Sequence, residues 1–115
     1  MERVKIDLQE STPLFLQVAG DIRRAIADGE AKPGERMPLA KDLATILGVN
    51  TNTVLRALRV LREEGLLEFR RGRGITVAGT PQRGALLAKV NELVVFARTQ
   101  GYPREELIAM IQNVP

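Results

Sequence analysis

A mostly α-helical α+β fold, a winged helix-turn-helix with one small β-hairpin followed by a short helical tail, is what this sequence predicts. Three observations lead there. Between Pro38 and Val77 the chain runs through a short apolar-periodic segment, a turn containing Gly48, a longer periodic segment with a polar opening, and a basic hairpin. Its 115 residues hold one domain, or a small domain with an appendage. After Thr80-Pro81 the pattern turns helical again and carries apolar residues on more than one side.

The elements follow in order. Val4, Ile6 and Leu8 alternate with Lys5 and Asp7, predicting a short half-buried strand. Ser11-Thr12-Pro13 predicts a helix start with a capping hydroxyl and Pro in the first turn. Leu14, Val18, Ile22 and Ile26 then recur at steps of four, with Phe15 and Ala19 beside them. Gly29 stops this first helix, and Lys32-Pro33-Gly34 makes a turn. A shorter second helix, Leu39 to Leu47, faces Leu43, Ala44 and Leu47 inward.

Gly48 ends that helix, Val49 plugs the turn, and Asn50 caps a third helix over Thr51 to Glu64. At ~100° per residue, Val54, Ala57, Leu58 and Leu61 share one face, while Asn52, Arg56 and Arg59 cluster opposite. Gly65 closes the helix. Leu66 to Arg70 and Ile75 to Ala78 read as strands of a hairpin around Arg71-Gly72-Arg73-Gly74. The boundary at Thr80-Pro81 divides a winged domain, residues 1–80, from a tail, residues 81–115.

In the tail, Gln82 to Gln100 forms a helix with an apolar arc of Leu86, Leu87, Val90, Leu93, Val94, Phe96 and Ala97. Val95 is apolar on the side away from Leu86. Gly101 ends this helix, Pro103 starts a last one, and Leu107, Ile108 and Ile111 line its apolar side.

Composition narrows the chemistry. Cysteine and histidine are both absent, which removes disulfides, thiolate metal sites and the commonest general base. No carboxylate loop has the spacing of a hard-cation site. Neither an enzyme nor a cofactor is expected. Net charge is only +3, but Arg56 to Arg73 holds six Arg against Glu63, Glu64 and Glu68. No basic-then-apolar leader opens the chain and its apolar runs are far short of a membrane span, so a soluble cytoplasmic protein without membrane contact is expected.

A helix-turn-helix presents its second helix to the major groove of duplex DNA. Thr51, Asn52 and Thr53 lie in the first turn of that helix, where Asn can bond adenine at two positions and Thr can meet several bases. The competing reading of Asn50 to Thr53 is helix capping, which suits Asn50 best. Arg56 lies one turn beyond Asn52, within reach of a guanine or a phosphate. Arg59 sits deeper, suited to phosphate contact or plain solvation. A charged stripe opposite an apolar one is usually a wet surface; the Asn52–Arg56 register behind a Gly-Val turn favours DNA.

Glu63 on the same side repels phosphate, so the helix is expected to enter the groove by its N-terminal end. At the wing, Arg70, Arg71, Gly72 and Arg73 suit a narrow minor groove. The competing reading is a solvated hairpin tip. Three Arg without a local acid repel one another, and a phosphate backbone would relieve that repulsion.

These residues resemble the GntR family of bacterial transcription regulators. Pro13-Leu14-Phe15-Leu16-Gln17, Gly29 with Lys32-Pro33-Gly34, Gly48-Val49, Thr53-Val54, Glu64-Gly65-Leu66 and Gly72-Arg73-Gly74 match the family's pattern in order and spacing. Two short tail helices joined through Gly101-Tyr102-Pro103-Arg104-Glu105-Glu106-Leu107, together with Val49-Asn50-Thr51-Asn52-Thr53-Val54-Leu55-Arg56-Ala57, are similar to the YtrA subfamily. The second helix departs from the pattern. Leu39 stands where the family carries a capping hydroxyl, at a cost of ~1 kcal/mol, which Asp42 in the first turn partly offsets. Lys41 stands where the family carries an Arg near the bases; it keeps a phosphate contact but loses the two-point grip on guanine.

What the resemblance implies is a dimeric repressor rather than an activator, acting on a near-palindromic duplex operator and controlling a nearby transporter operon. The tail's apolar surface is expected to pair two copies through Leu86, Val90, Leu93, Val94, Ala97, Leu107, Ile108 and Ile111; packing against its own winged domain is the competing arrangement. A small-molecule effector is not identifiable. The tail leaves little room for an enclosed pocket of ~300 Å³, so an effector would sit at the dimer interface or between the two parts. Two other classes stay open. One is a winged helix that meets an acidic protein partner instead of DNA. The other is an RNA-binding module, disfavoured by the scarcity of aromatic rings for stacking.

Overall fold

A computed structural model describes residues 12–115, so the predicted strand over Val4, Ile6 and Leu8 lies outside the described residues, as does Ser11 of the predicted helix start. The element order is α1 (Leu14–Ala27), α2 (Ala40–Leu47), α3 (Thr51–Glu63), β1 (Leu67–Arg70), β2 (Gly74–Val77), α4 (Pro81–Thr99) and α5 (Arg104–Gln112).

Local chemistry explains most of the boundaries. Asn50 caps α3 by accepting a hydrogen bond from the Asn52 amide at 2.7 Å, and Thr80 caps α4 by accepting from the Arg83 amide at 3.0 Å. Pro81 takes the first helical position of α4, where its missing N–H costs nothing. Gly48 ends α2 in the left-handed region, φ 69°. At α2 the N-cap is Leu39 with no side-chain bond, and Asp42 lies in the first turn, as expected.

The start of α1 corrects one expectation. Its N-cap is Pro13, which carries no side-chain acceptor, and Pro13 precedes the first turn instead of lying in it. The end is held instead by Gln17, whose Nε2 donates to the Thr12 carbonyl at 2.9 Å.

One buried cluster gathers Val18, Ala19 and Ile22 of α1, Leu43 and Ala44 of α2, Val54, Ala57, Leu58 and Leu61 of α3, and Leu67 and Val77 of the hairpin, closed by Met37. Helix α3 is central to it and packs on α1, α2, α4 and β1. Each fully buried Leu or Ile of this kind stabilises the fold by about 1.5–3 kcal/mol relative to exposure. Ile26 and Leu47, expected inside, pack at the rim.

The hairpin is antiparallel, pairing Leu67 with Val77 and Arg70 with Gly74. It has a third, unforeseen partner. Residues 34–37 run along β2: the Gly34 amide donates to the Val77 carbonyl at 2.9 Å, the Val77 amide to the Glu35 carbonyl at 2.9 Å, and the Met37 amide to the Ile75 carbonyl at 2.7 Å. The segment after α1 therefore anchors the wing.

No residue of α4 or α5 belongs to the central cluster. Ala97 and Leu107 are buried where α4 packs on α5. The tail meets the winged part through polar and close backbone contacts. Asn91 Nδ2 donates to the Arg62 carbonyl at 2.9 Å. Gly65, at φ 80°, lies so close to α4 that a Cβ there would overlap the Gly84 carbonyl oxygen, and a Cβ on Gly84 would stand 2.5 Å from the Gly65 carbonyl oxygen.

That approach reverses the usual sign of a substitution. An exposed mid-helix Gly→Ala stabilises by about 1 kcal/mol, but a methyl at Gly84 meets backbone that must move, at about 1–3 kcal/mol. Gly84→Ala is expected to lower the melting temperature; thermal unfolding followed by circular dichroism checks the sign.

Candidate nucleic-acid interface

The solvent face of α3 follows from its buried one. With Val54, Ala57, Leu58 and Leu61 inside, Thr51, Asn52, Arg56 and Arg59 are exposed and Thr53 is half-buried. Asn50 is engaged as the cap, and the other polar side chains of the first turn are Thr51, Asn52 and Thr53. Lys41 is exposed at the start of α2, joined to α3 by the Gly48 to Asn50 turn. Glu63, also exposed, stands at the far end of α3.

Arg56 is not a free arm. Its guanidinium carbon lies 3.9 Å from the centroid of the Phe15 ring, at the start of α1. Arg62, six residues further along α3, is drawn to the interior side: its guanidinium carbon lies 4.6 Å from the Phe69 centroid, and its Nε is buried without a hydrogen-bond partner among the described residues. Sequence reasoning missed the Phe15 contact. Its only trace was an aromatic residue beside, rather than on, the apolar stripe of the first helix.

The wing turn is held by backbone geometry. The Arg73 amide donates to the Arg70 carbonyl at 3.0 Å, and Gly72 and Gly74 adopt φ of 79° and 75°, which side chains rarely tolerate. Arg36 supports the turn from the neighbouring strand segment, its Nε donating to the Arg73 carbonyl at 2.9 Å. Arg36 is a cation beside the wing that the sequence reading did not single out. Arg71 and Arg73 are exposed, and no carboxylate among the described residues pairs with either side chain.

Arg70 differs and corrects the expectation of a wing without a local acid. Glu68, only 9% exposed, lies 3.4 Å from Arg70 and is gripped at two points by Arg83 of α4, at 2.9 and 2.6 Å. The Arg83 hydrogen bonds hold the Glu68 carboxyl below the usual carboxylate range, against the opposing effect of burial and with the help of the Arg83 and Arg70 charges. The β1 register puts Glu68 opposite Thr76, and the wing, the tail and one acid thus meet at one point. Arg70 is the wing cation least available to another anion.

Other arginines are structural. Arg23 grips Glu64 at 2.7 and 2.5 Å, tying α1 to the end of α3, and Arg24 pairs with the buried Asp21. Of the eight tail residues expected at an interface between copies, Leu86, Val90, Leu93, Ile108 and Ile111 are exposed and Val94 is half-buried. Ala97 and Leu107 are covered by the chain's own α4–α5 packing, so little of either remains for a partner. Among the described residues three clefts of similar size lie along α4: about 450 Å³ between Ile26, Leu66, Val77 and Ala85, about 440 Å³ between Glu63, Asn91 and Phe96, and about 430 Å³ between Arg62, Val94, Arg104 and Ile108. Among the described residues no helix is long and apolar enough to cross a membrane.

Residues 14–77, from α1 through β2, match the family model for bacterial regulatory proteins of the gntR family. The HTH-type transcriptional repressor YtrA of Bacillus subtilis (strain 168) is 30% identical over 118 residues, 96% of this chain and 91% of that protein. A solved structure of YtrA from Sulfolobus acidocaldarius, a GntR-family transcription factor, aligns with a TM-score of 0.64 at 36% identity, over 80% of this chain and 97% of that one. The AraR DNA-binding domain, solved in complex with operator ORE1, aligns with a TM-score of 0.57 at 28% identity, over 66% of this chain and 93% of that one.

The Glu68 site predicts a pH dependence with a definite sign. A carboxylate whose folded pKa is depressed contributes stability that is present above its unfolded value, about 4.3, and lost as pH falls through the lower folded value. Glu68→Gln is expected to melt earlier than the parent at neutral pH, with the gap closing in acid. Melting curves from neutral pH down to about 3 check this.

Proposed function

This chain belongs to the gntR family of bacterial regulatory proteins, and we propose that it is a cytoplasmic repressor that binds a near-palindromic operator as a two-fold dimer. A DNA-binding transcription regulator is not an enzyme, and its work is done by contact. The observation that carries the reading is the outer face of α3, where Thr51, Asn52, Arg56 and Arg59 lie exposed behind a Gly48 turn. Thr51, Asn52 and Thr53 would read base edges, Arg56 a guanine, and Arg59 and Lys41 phosphates. Arg71 and Arg73, on a turn opened by Gly72, would follow the minor groove beside it, while Arg70 would contribute less because Glu68 holds it.

Repression is supported by the Bacillus subtilis relative, which is a transcriptional repressor. Its mechanism would be steric, the dimer covering a promoter. Dimerisation is supported by Leu86, Val90, Leu93, Ile108 and Ile111, large apolar side chains that α4 and α5 leave in water. A two-fold pairing would set two α3 helices about one DNA turn, ~34 Å, apart, or a multiple of it. An effector, if one acts, would bind at a cleft between α4 and its neighbours, where it could alter that spacing.

A titration on the duplex upstream of this protein's own gene, beside a scrambled duplex at physiological salt, tests the reading. Binding at least about a thousandfold tighter to the native fragment is expected; equal binding to both overturns it. In the same assay Arg56→Ala is expected to lose ~1–3 kcal/mol and relax the choice of base. Arg73→Ala should weaken all sequences alike and reduce the salt slope by ~1. Sedimentation of Leu93→Asp should give a monomer where the parent gives a dimer; a parent that sediments as a monomer sinks the two-fold model.

A further inference from the structure

The contact between α1 and α3 extends the proposed interface to a residue that touches no base. Phe15 is half-buried in the first turn of α1, yet it belongs neither to the central core nor to the apolar residues packed against it. Among the described residues its ring lies against Arg56, whose guanidinium carbon is 3.9 Å from the ring centroid. Arg56 is exposed, and no carboxylate among the described residues pairs with it.

An exposed Arg on a helix has several rotamers, and fixing it in one costs side-chain entropy each time it binds. An aromatic face limits that freedom before binding. The geometry also keeps the two interactions apart. A guanidinium over an aromatic ring spends its flat face on the ring, while the N–H groups that grip guanine lie in its plane and point outward from the edge. Stacking on Phe15 is thus compatible with reading a base, whereas a carboxylate partner would occupy the same N–H groups.

We infer that Phe15 is a positioning residue for sequence recognition: its ring holds the Arg56 guanidinium ready to read a base, so that α1 takes part in specificity without touching DNA. The inference rests on the DNA-reading role of Arg56 set out above. Core packing does not need this ring, since the α1–α3 contact is carried by Val18, Ala19 and Ile22 against the α3 stripe. Replacing it should leave the fold standing and change recognition.

The test is a double-mutant cycle. The probe is the duplex that the parent protein enriches most from a random-sequence pool, together with its single-base variants. Parent, Phe15→Leu, Phe15→Tyr, Arg56→Ala and the Phe15→Leu/Arg56→Ala pair are titrated on each, with melting curves alongside. Phe15→Leu is expected to weaken binding about three- to tenfold and to flatten discrimination at the same base position that Arg56→Ala flattens. Phe15→Tyr, which restores the ring, should bind and discriminate as the parent does. In the Arg56→Ala background, Phe15→Leu should add nothing.

An equal loss from Phe15→Leu with and without Arg56 overturns the inference, because the ring would then act independently of the arginine. So does parent-like binding by Phe15→Leu beside a weakened Arg56→Ala, and there the reading of Arg56 survives. Parent-like binding and discrimination by Arg56→Ala instead overturns the assignment of Arg56 to DNA, and the role of Phe15 with it.

Discussion

Everything exposed on α3 depends on what is buried beneath it. Val54, Ala57, Leu58 and Leu61 are removed from water by α1, α2 and β1. A helix whose apolar residues repeat at three and four positions has one rotation that buries them all, and turning it would put several methyl-bearing side chains into solvent at about 0.8 kcal/mol per CH₂. That constraint sets the azimuth of Asn52, Arg56 and Arg59 on the far side. It also explains how the helix carries a polar outer face: none of those side chains belongs to the buried cluster. The same burial anchors the wing, because Leu67 and Val77 enter the cluster and Met37 closes it from the strand segment beside β2.

The tail is held by another kind of interaction. No side chain of α4 or α5 belongs to the central cluster, and the tail is attached through a close backbone approach at Gly65 and Gly84, a hydrogen bond from the Asn91 side-chain amide to the Arg62 carbonyl, and the Arg83–Glu68 ion pair. These contacts are directional and specify one angle between α4 and α3. Under the proposed dimer this has a mechanical consequence. The distance between two recognition helices is set by the tail's docking as much as by the interface itself, and anything that loosens the docking changes the fit to both half-sites at once. Glu68 stands at that junction, shared between the tail and Arg70 of the wing.

The arginines show how environment sorts one residue type. Arg23, Arg24 and Arg83 are bound to carboxylates and Arg62 is laid on Phe69. Arg56 is laid on Phe15 with no acid at its edge among the described residues, and Arg71 and Arg73 are exposed. Ion-paired guanidiniums have spent the N–H groups that a phosphate or base would need. A count of basic residues therefore overstates the cations left free for another anion, and under the proposed function the candidates are a few groups on α3, α2 and the wing.

The sequence by itself determined the helical elements, the hairpin and the rotation of α3. Those depend on local signals: apolar residues at helical spacing, Asn50 at a cap position, Thr80-Pro81 at a boundary, and Gly48 and Gly72 in tight turns. The matching stripe Val54-Ala57-Leu58-Leu61 was legible because periodicity within one helix is a property of neighbours in the chain. The tertiary structure alone decided the pairing of residues 34–37 with β2, the docking of α4 through Gly84, the capture of Glu68 by Arg83, the burial of Ala97 and Leu107 within the tail, and the seat of Arg56 on Phe15. Most of these join groups well separated in sequence, Phe15 and Arg56 by forty-one positions, and no periodicity links them. Their partners are chosen by where the buried stripes bring the helices together, which is a result of packing the whole core.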